Sequence, residues 1–237
     1  MITDSNKILN EISRRCDQIE SSLVSYIHQD SVSSQTRIPY HILVYREVSA
    51  RRFLELSRNA ISNYERDNFV TAVVLTRAAL ETTAALWYLK IKIKTVVKTG
   101  TLADINDIND CLNRLMLGGK TNPNSRVPEP INVLSFVDKA DKSFKGYRQQ
   151  YDELSEVSHP NWSGTLLPYS KGYKKERRTD FVKDIQVLEA ATSLSIDNLD
   201  ITSSIFELCY SYISDIMPKF VGVCERYQET NNENTPI

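Results

Sequence analysis

Glycine and proline are scarce in this sequence, and their scarcity excludes folds that depend on many tight turns. Seven glycines occur in 237 residues, less than half of the average usage of about 7%. Neither residue type occurs between Pro39 and Gly100. Because β-rich and α/β folds place Gly and Pro in their turns, the composition predicts long helices. With 41% hydrophobic and 25% charged residues, the chain has enough apolar material for a sizeable core.

Closely spaced metal ligands and a secretory leader are also lacking. The four cysteines stand far apart, as do the three histidines, whereas a local zinc site needs ligands in short paired spacing. The first residues contain no apolar signal core. The most apolar stretch, 69–97, is interrupted by charged residues, including Arg77 and Glu81, unlike a bilayer-spanning helix. We therefore expect a soluble cytoplasmic protein with no membrane span, metal or cofactor.

Charge is divided unevenly along a chain that is nearly neutral as a whole. Residues 40–183 carry 23 basic and 16 acidic side chains, and residues 184–237 carry two basic and nine acidic ones. Two interpretations stay open. The two segments lie against each other and cancel, or the central segment presents a basic surface to an anionic partner.

Apolar residues that recur every three or four positions predict an all-α fold. We expect a single helical-bundle domain over residues 1–229, with six or seven helices and a frayed C-terminal tail over 230–237. The third helix is apolar on most faces, so it belongs in the middle of the bundle. The pattern places the helices at 4–28, 39–64, 68–98, 102–115, 132–142, 147–158 and 186–229.

The segments between these helices are predicted from turn signals. Thr101 and Asp104 resemble a capping box at the start of the fourth helix. Residues 30–37 and 120–130 are expected to be loops. The periodicity fails over 161–183, which predicts an irregular loop or a β-hairpin that turns near Lys171 and Gly172.

Arg77 and Glu81 stand four residues apart in the apolar third helix, so they share one helix face. A bare buried charge is very costly, so the two groups must be paired or must line a cavity. Three interpretations stay open: a structural ion pair between helices, an orienting pair beside an active site, or the polar anchors of a small-molecule pocket.

His159 is the residue that most suggests chemistry. It stands directly before Pro160, so it is expected at the C-terminus of the sixth helix. Arg148 falls on nearly the same helix face, with Tyr151 close beside it. A histidine with a cation and a phenol nearby can act on a phosphodiester, as a base toward the ribose hydroxyl and a stabiliser of the oxyanions. The alternative is a histidine that caps the helix by bonding its carbonyls.

Residues 169–178 mix basic side chains with tyrosines. Basic groups neutralise phosphates, and tyrosine rings stack on bases. A solvated hairpin tip would have the same composition, so both interpretations stay open. The candidate nucleic-acid-binding residues are Lys171, Tyr173, Lys174, Lys175, Arg177 and Arg178.

Four segments together resemble an uncharacterised bacterial group of all-helical proteins that we associate with the HEPN superfamily. They are LTRAALETTAALWYL (75–89), CLNRLMLGGKT, INVLSFVDKADKSF and YDELSEVSHPNWSG. HEPN proteins are helical bundles that often work as dimeric ribonucleases in toxin–antitoxin and phage-defence systems. The resemblance implies a helical bundle, a homodimer and metal-independent RNA cleavage with His159 as the catalytic histidine.

The HEPN catalytic pattern also has an arginine shortly before the histidine, where this chain has Asp152, Glu153 and Leu154. The cation would have to come from Arg148, which is eleven residues before His159, or from Arg77 on another helix. The expected catalytic set is His159 with Arg148, Arg77, Glu81 and Tyr151. The leading expectation is a bacterial defence or toxin-type endoribonuclease. The alternative is a non-catalytic scaffold or regulatory subunit that dimerises and binds a protein partner from such a system.

Overall fold

The protein folds as an all-α bundle with one small antiparallel sheet, which confirms the predicted fold class. The computed structural model describes residues 2–119, 127–183 and 185–233, without the side chains of 2–4, 185–187 and 229–233. The helices are α1 (Ile2–Ser21), α2 (Gln29–Val32), α3 (Ile38–Glu65), α4 (Phe69–Thr99), α5 (Leu102–Leu117), α6 (Val133–Asp141), α7 (Tyr147–Ser158), α8 (Leu167–Tyr169) and α9 (Ile185–Glu233).

The predicted apolar helix, α4, is the centre of the bundle. It packs against α3, α5, α6, α7 and α9, and Ala84, Leu86 and Leu89 within it are wholly buried. It ends at Gly100, whose left-handed conformation (φ 62°) is one that glycine adopts without strain. It is also the one described helix long and apolar enough to cross a bilayer, and 61% of its most apolar window is buried within the protein. Such burial is typical of the core helix of a soluble protein.

Helices α3 and α9 lie side by side and antiparallel. Near the end of α3, the Tyr64 hydroxyl is hydrogen-bonded to the Ser195 hydroxyl. In the middle, the rings of Phe53 and Phe206 stack with centroids 4.1 Å apart. Because the α3 residue number falls as the α9 number rises, the two chains run in opposite directions. Phe53, Tyr64 and Phe206 are all buried where the two helices meet.

The first helix ends earlier than predicted, and the expected loop after it contains one helical turn. The prediction of a helix over 4–28 is wrong at its C-terminal end, because α1 stops at Ser21. The Val24 backbone amide donates to Glu47 Oε2 (3.2 Å), and the Val24 carbonyl accepts from Arg51 Nη2 (2.6 Å). Because these two backbone groups are bonded to side chains of α3, they are not available for the hydrogen bonds of a longer α1. Within the predicted 30–37 loop, the chain forms α2.

A β-hairpin forms in the 161–183 excursion, but not with its turn near Lys171 and Gly172. Strands β1 (Lys171–Tyr173) and β2 (Arg178–Asp180) pair in register, so Lys171 and Gly172 lie in a strand and residues 174–177 make the turn. Arg177 closes it with φ 50°. Before the hairpin the chain is helical, with a π-helical turn over Trp162–Leu166 followed by α8.

Two other predicted segments extend beyond the described residues. Residues 120–126 of the expected 120–130 loop lie outside the described ranges. Helix α9 continues to Glu233, so 230–233 of the expected frayed tail are helical. Residues 234–237 lie outside the described ranges.

Candidate functional site

Two long-range hydrogen bonds set the register between α4 and α7. The buried Tyr147 hydroxyl donates to the Leu80 carbonyl (2.8 Å), and Arg77 Nη2 donates to the Tyr151 hydroxyl (3.1 Å). Tyr151 lies one turn after Tyr147 on α7, whereas its partner Arg77 lies about one turn before Leu80 on α4. The two helices are therefore antiparallel. This packing brings three of the five predicted catalytic residues together: Arg77, Glu81 and Tyr151.

These three side chains form a half-buried polar cluster. Arg77 Nε lies 3.2 Å from Glu81 Oε1, with the two side chains 25% and 27% exposed. The Arg77 guanidinium carbon also lies 5.1 Å from the centroid of the Tyr151 ring, within the range of a cation–π contact. The Nε–H is not aligned for a hydrogen bond to the carboxylate. The cluster thus joins α4 to α7 and leaves the guanidinium partly open to solvent.

Arg148 lies between two carboxylates. Its Nε donates to both oxygens of Asp152 (3.0 Å each), and its Nη1 donates to Asp138 Oδ1 (2.6 Å). Hydrogen bonds to these carboxylates, Asp138 first, raise the pKa of Arg148. Arg148 is thus paired with acids of α6 and α7, and no contact joins it to Arg77, Tyr151 or His159 among the described side chains.

His159 follows α7 as its C-cap residue, with an exposed side chain. Its backbone amide donates to the Ser155 carbonyl (3.2 Å). Within the described part of the chain its imidazole makes no hydrogen bond, so the capping interpretation gains no support. At ~1.5 Å of rise per residue, His159 lies about 12 Å along the helix axis from Tyr151. The imidazole and the Arg77 cluster therefore occupy different levels of α7.

The turn after His159 is held by two residues to which the sequence analysis gave no role, Asn161 and Gly164. Asn161 Oδ1 accepts from the Gly164 amide (3.0 Å), and Asn161 Nδ2 donates to Glu156 Oε2 (2.8 Å). A Cβ on Gly164 would stand 2.1 Å from the His159 carbonyl oxygen and 2.4 Å from that of Val157. The π-helical turn thus packs directly on the end of α7 and fixes the backbone of His159. The sequence signal for this turn is an Asn that is followed three residues later by a Gly, since Asn side chains commonly close such turns.

The hairpin presents three cations without partners in the described part of the chain: Lys174, Lys175 and Arg177. All three are exposed. Arg178 instead pairs with Asp180 (2.8 Å) and Glu176 (3.5 Å). Its guanidinium carbon also lies 5.0 Å from the centre of the Tyr173 ring. Arg178 and Tyr173 are therefore engaged with each other, and Lys171 lies in β1.

Exposed aromatic residues stand on both sides of the hairpin, and sequence reasoning singled out Tyr169 among them but missed Trp162 and Phe181. Trp162 is 62% exposed, Tyr169 is 47% exposed and Phe181 is 86% exposed. Large aromatic rings supply much of the binding free energy where a protein contacts a ligand or partner. Together with Lys174, Lys175 and Arg177, these three make up what we call the aromatic–basic surface, a set of exposed side chains that lie close together in sequence within residues 162–181. It covers the same stretch of chain as His159, between 159 and 181.

The acidic helix α9 makes its ion pairs elsewhere. Asp200 and Glu207 both contact Arg15 of α1, which lies outside the basic 40–183 segment. Among the described side chains, no cluster of three or more His, Cys, Asp or Glu is placed to hold a metal ion. Among the described side chains, α9 therefore makes its ion pairs with α1 and none with the hairpin cations Lys174, Lys175 and Arg177.

Comparison with known proteins gives no match: no family model, no curated protein and no solved structure.

Proposed function

We propose that this protein binds single-stranded RNA on the aromatic–basic surface and cleaves it without a metal, with His159 transferring the protons. The observation that carries the proposal is the exposed imidazole of His159 in the same short stretch as three exposed cations, all four side chains having no partner among the described residues. The resemblance of YDELSEVSHPNWSG to HEPN ribonucleases supports the same reading. It also supports a homodimer that works in bacterial defence or as a toxin.

Binding follows from the chemistry of the surface. Lys174, Lys175 and Arg177 attract phosphates, and each neutralised phosphate releases counterions. Trp162, Tyr169 and Phe181 supply exposed ring faces on which unpaired bases stack, with little dependence on sequence. Unpaired bases are needed, because a duplex hides its base faces. The expected ligand is therefore single-stranded RNA.

Cleavage requires a base for the ribose 2′-hydroxyl and a proton for the leaving 5′-oxygen. The neutral imidazole of His159 takes the proton of a ribose 2′-hydroxyl while the 2′-oxygen bonds to phosphorus. The bond to the 5′-oxygen breaks as that oxygen takes a proton from a water molecule, and His159 then returns the abstracted proton to the hydroxide that remains. The products are a 2′,3′-cyclic phosphate and a 5′-hydroxyl end. Arg77, about 12 Å back along α7, would hold another phosphate of the same strand through the open part of its guanidinium, and the buried Tyr151 would position that guanidinium.

The test is cleavage of total RNA in EDTA by the purified wild type, His159→Ala and a matched control, His28→Ala. His28 is also an exposed histidine, but it lies far from the hairpin in sequence. The proposal predicts discrete fragments with cyclic phosphate ends from the wild type and from His28→Ala only. Fragments from His159→Ala at the wild-type rate, or intact RNA in all lanes, would count against catalysis.

One observation favours the second candidate function, a non-catalytic scaffold that binds a protein partner. The segment after His159 exposes large apolar side chains in close succession, and such patches commonly mark protein interfaces. They are Trp162, Leu166, Tyr169, Phe181 and Val182. In that case Phe181→Ser would abolish capture of the partner, and RNA would not bind in a salt-dependent way.

A further inference from the structure

A cavity of about 570 Å³ lies at one end of the bundle, away from the Arg77 cluster. It opens where α1 begins, where α3 passes into α4 and where α9 begins. Its volume falls within the roughly 300–1,000 Å³ of small-molecule sites in proteins. Arg77 and Glu81 do not line it, so it is not the pocket that their spacing suggested.

The walls of the cavity are apolar and belong to the packed core. Leu9, Phe69 and Ile196 line it and are at most 8% exposed. Tyr64 lines it too, but its hydroxyl is bonded to Thr76 (2.8 Å) and Ser195. The phenol therefore offers the cavity its ring rather than a free hydroxyl. A ligand would gain binding free energy by removing this apolar surface from water.

The polar groups of the lining can hydrogen-bond but give no net preference for charge. Asn6, Thr192 and Ser193 line the cavity, and their side chains make no hydrogen bonds within the described part of the chain. At the mouth, the charges of both signs nearly balance, and Lys183 Nζ already donates to the Asp67 carbonyl (3.1 Å). These charged lining residues are Glu65, Arg66, Asp67, Lys183 and Glu189.

We infer that this cavity is a binding site for an uncharged, largely apolar small molecule that carries one or two hydrogen-bonding groups. The apolar walls hold its body, and the side chains of Asn6, Thr192 and Ser193 orient its polar end. The site is separate from the aromatic–basic surface, so the inference does not depend on ribonuclease activity. A smaller neighbouring cavity shares Phe69 and Lys183 with it and reaches Tyr169, which places the ligand beside the segment that carries the aromatic–basic surface.

The test uses N-phenyl-1-naphthylamine, a neutral aromatic probe with one N–H group, and its sulfonated analogue, 1-anilinonaphthalene-8-sulfonate. The neutral probe should saturate at one molecule per chain in a fluorescence titration. Thr192→Trp fills the cavity and should weaken binding about tenfold or more. Leu194→Trp is the matched control, because Leu194 is 50% exposed on the same helix and does not line the cavity. It should bind the probe as the wild type does.

A second variant keeps the test decisive if Thr192→Trp fails to fold. Asn6→Trp places the ring at an exposed position of the lining and should also weaken binding. The inference is overturned if the neutral probe does not saturate, if the lining variants bind it as tightly as Leu194→Trp does, or if the sulfonated probe binds about tenfold more tightly than the neutral one. The last result would assign the cavity to anions.

Discussion

Replacing Gly164 with alanine tests how the end of α7 is held. The new Cβ would stand 2.1 Å from the His159 carbonyl oxygen and 2.4 Å from the Val157 carbonyl oxygen. Both are backbone atoms, so neither can rotate away as a flexible side chain would. Overpacking usually lowers the free energy of unfolding by about 1–3 kcal/mol. Because Gly164→Ala makes two backbone clashes, we expect a loss of about 3 kcal/mol. In a chain of this size that lowers the Tm by about 6–12 °C.

The smallest expected loss of stability follows if the clash is relieved by movement of the turn rather than by strain. If the π-helical turn swings away from α7, the hydrogen bond from the Gly164 amide to Asn161 Oδ1 is lost, at about 1 kcal/mol. The Tm would then fall by only about 2–4 °C, and RNA binding would weaken because His159 and Trp162 move. Thermal denaturation followed by circular dichroism measures the difference. Gly172→Ala is the control, since no atom lies within 4 Å of its added Cβ. Equal Tm values for the two variants would refute the packing argument.

Three further predictions concern the core, the thiols and Arg148. Phe53→Ala removes the ring stacked on Phe206 and should lower the free energy of unfolding by about 3–5 kcal/mol in urea denaturation; a loss below about 1 kcal/mol, as expected for exposed Val48→Ala, would contradict the stacked core. Burial raises the pKa values of all four cysteine thiols, to about 11 for Cys16 and Cys111 and about 12 for Cys209 and Cys224. The thiols therefore stay protonated near neutral pH, and Ellman's reagent should label them only after denaturation; rapid labelling of the native protein would show that they are accessible. Arg148→Gln should leave RNA affinity within about twofold of the wild type, because Asp138 and Asp152 already neutralise the guanidinium, and a loss of tenfold would restore Arg148 to the site.

The helices could be predicted from the sequence wherever their signals are local. The Thr101 hydroxyl accepts from the Asp104 amide (3.3 Å), and Asn132 Oδ1 accepts from the Leu134 amide (3.0 Å). Each contact lies within one turn of the residue that makes it. The central place of α4 could also be predicted, because its apolar residues cover most faces of the helix.

The errors arise where distant residues decide the local structure. The end of α1 depends on Glu47 and Arg51, which stand more than a helix away in sequence. The position of the hairpin turn depends on which cross-strand pairs are best, including Tyr173 with Arg178. Neither long-range contact produces a periodic pattern in the sequence from which it could be predicted.

The candidate site shows the same division. Asp152 pairs with Arg148 as the helical spacing predicts, but Asp138 reaches Arg148 from α6. The contact between Arg77 and Tyr151 also depends on how α4 packs against α7. The close approach of Gly164 to the His159 carbonyl is a tertiary contact that only the folded chain reveals.

The most direct test of the account is the salt dependence of RNA binding by the aromatic–basic surface. The affinity for a single-stranded RNA oligonucleotide is measured over a series of salt concentrations for the wild type and for the triple variant Lys174→Gln, Lys175→Gln, Arg177→Gln. A second triple variant, Lys98→Gln, Lys142→Gln, Lys145→Gln, removes three exposed lysines elsewhere. At about 0.7 per phosphate contact on a single strand, removing three contacts should reduce the slope of log K against log salt by about 2. We expect that reduction for the hairpin variant and the wild-type slope for the control. Salt-independent binding, or equal slopes in all three proteins, would contradict it.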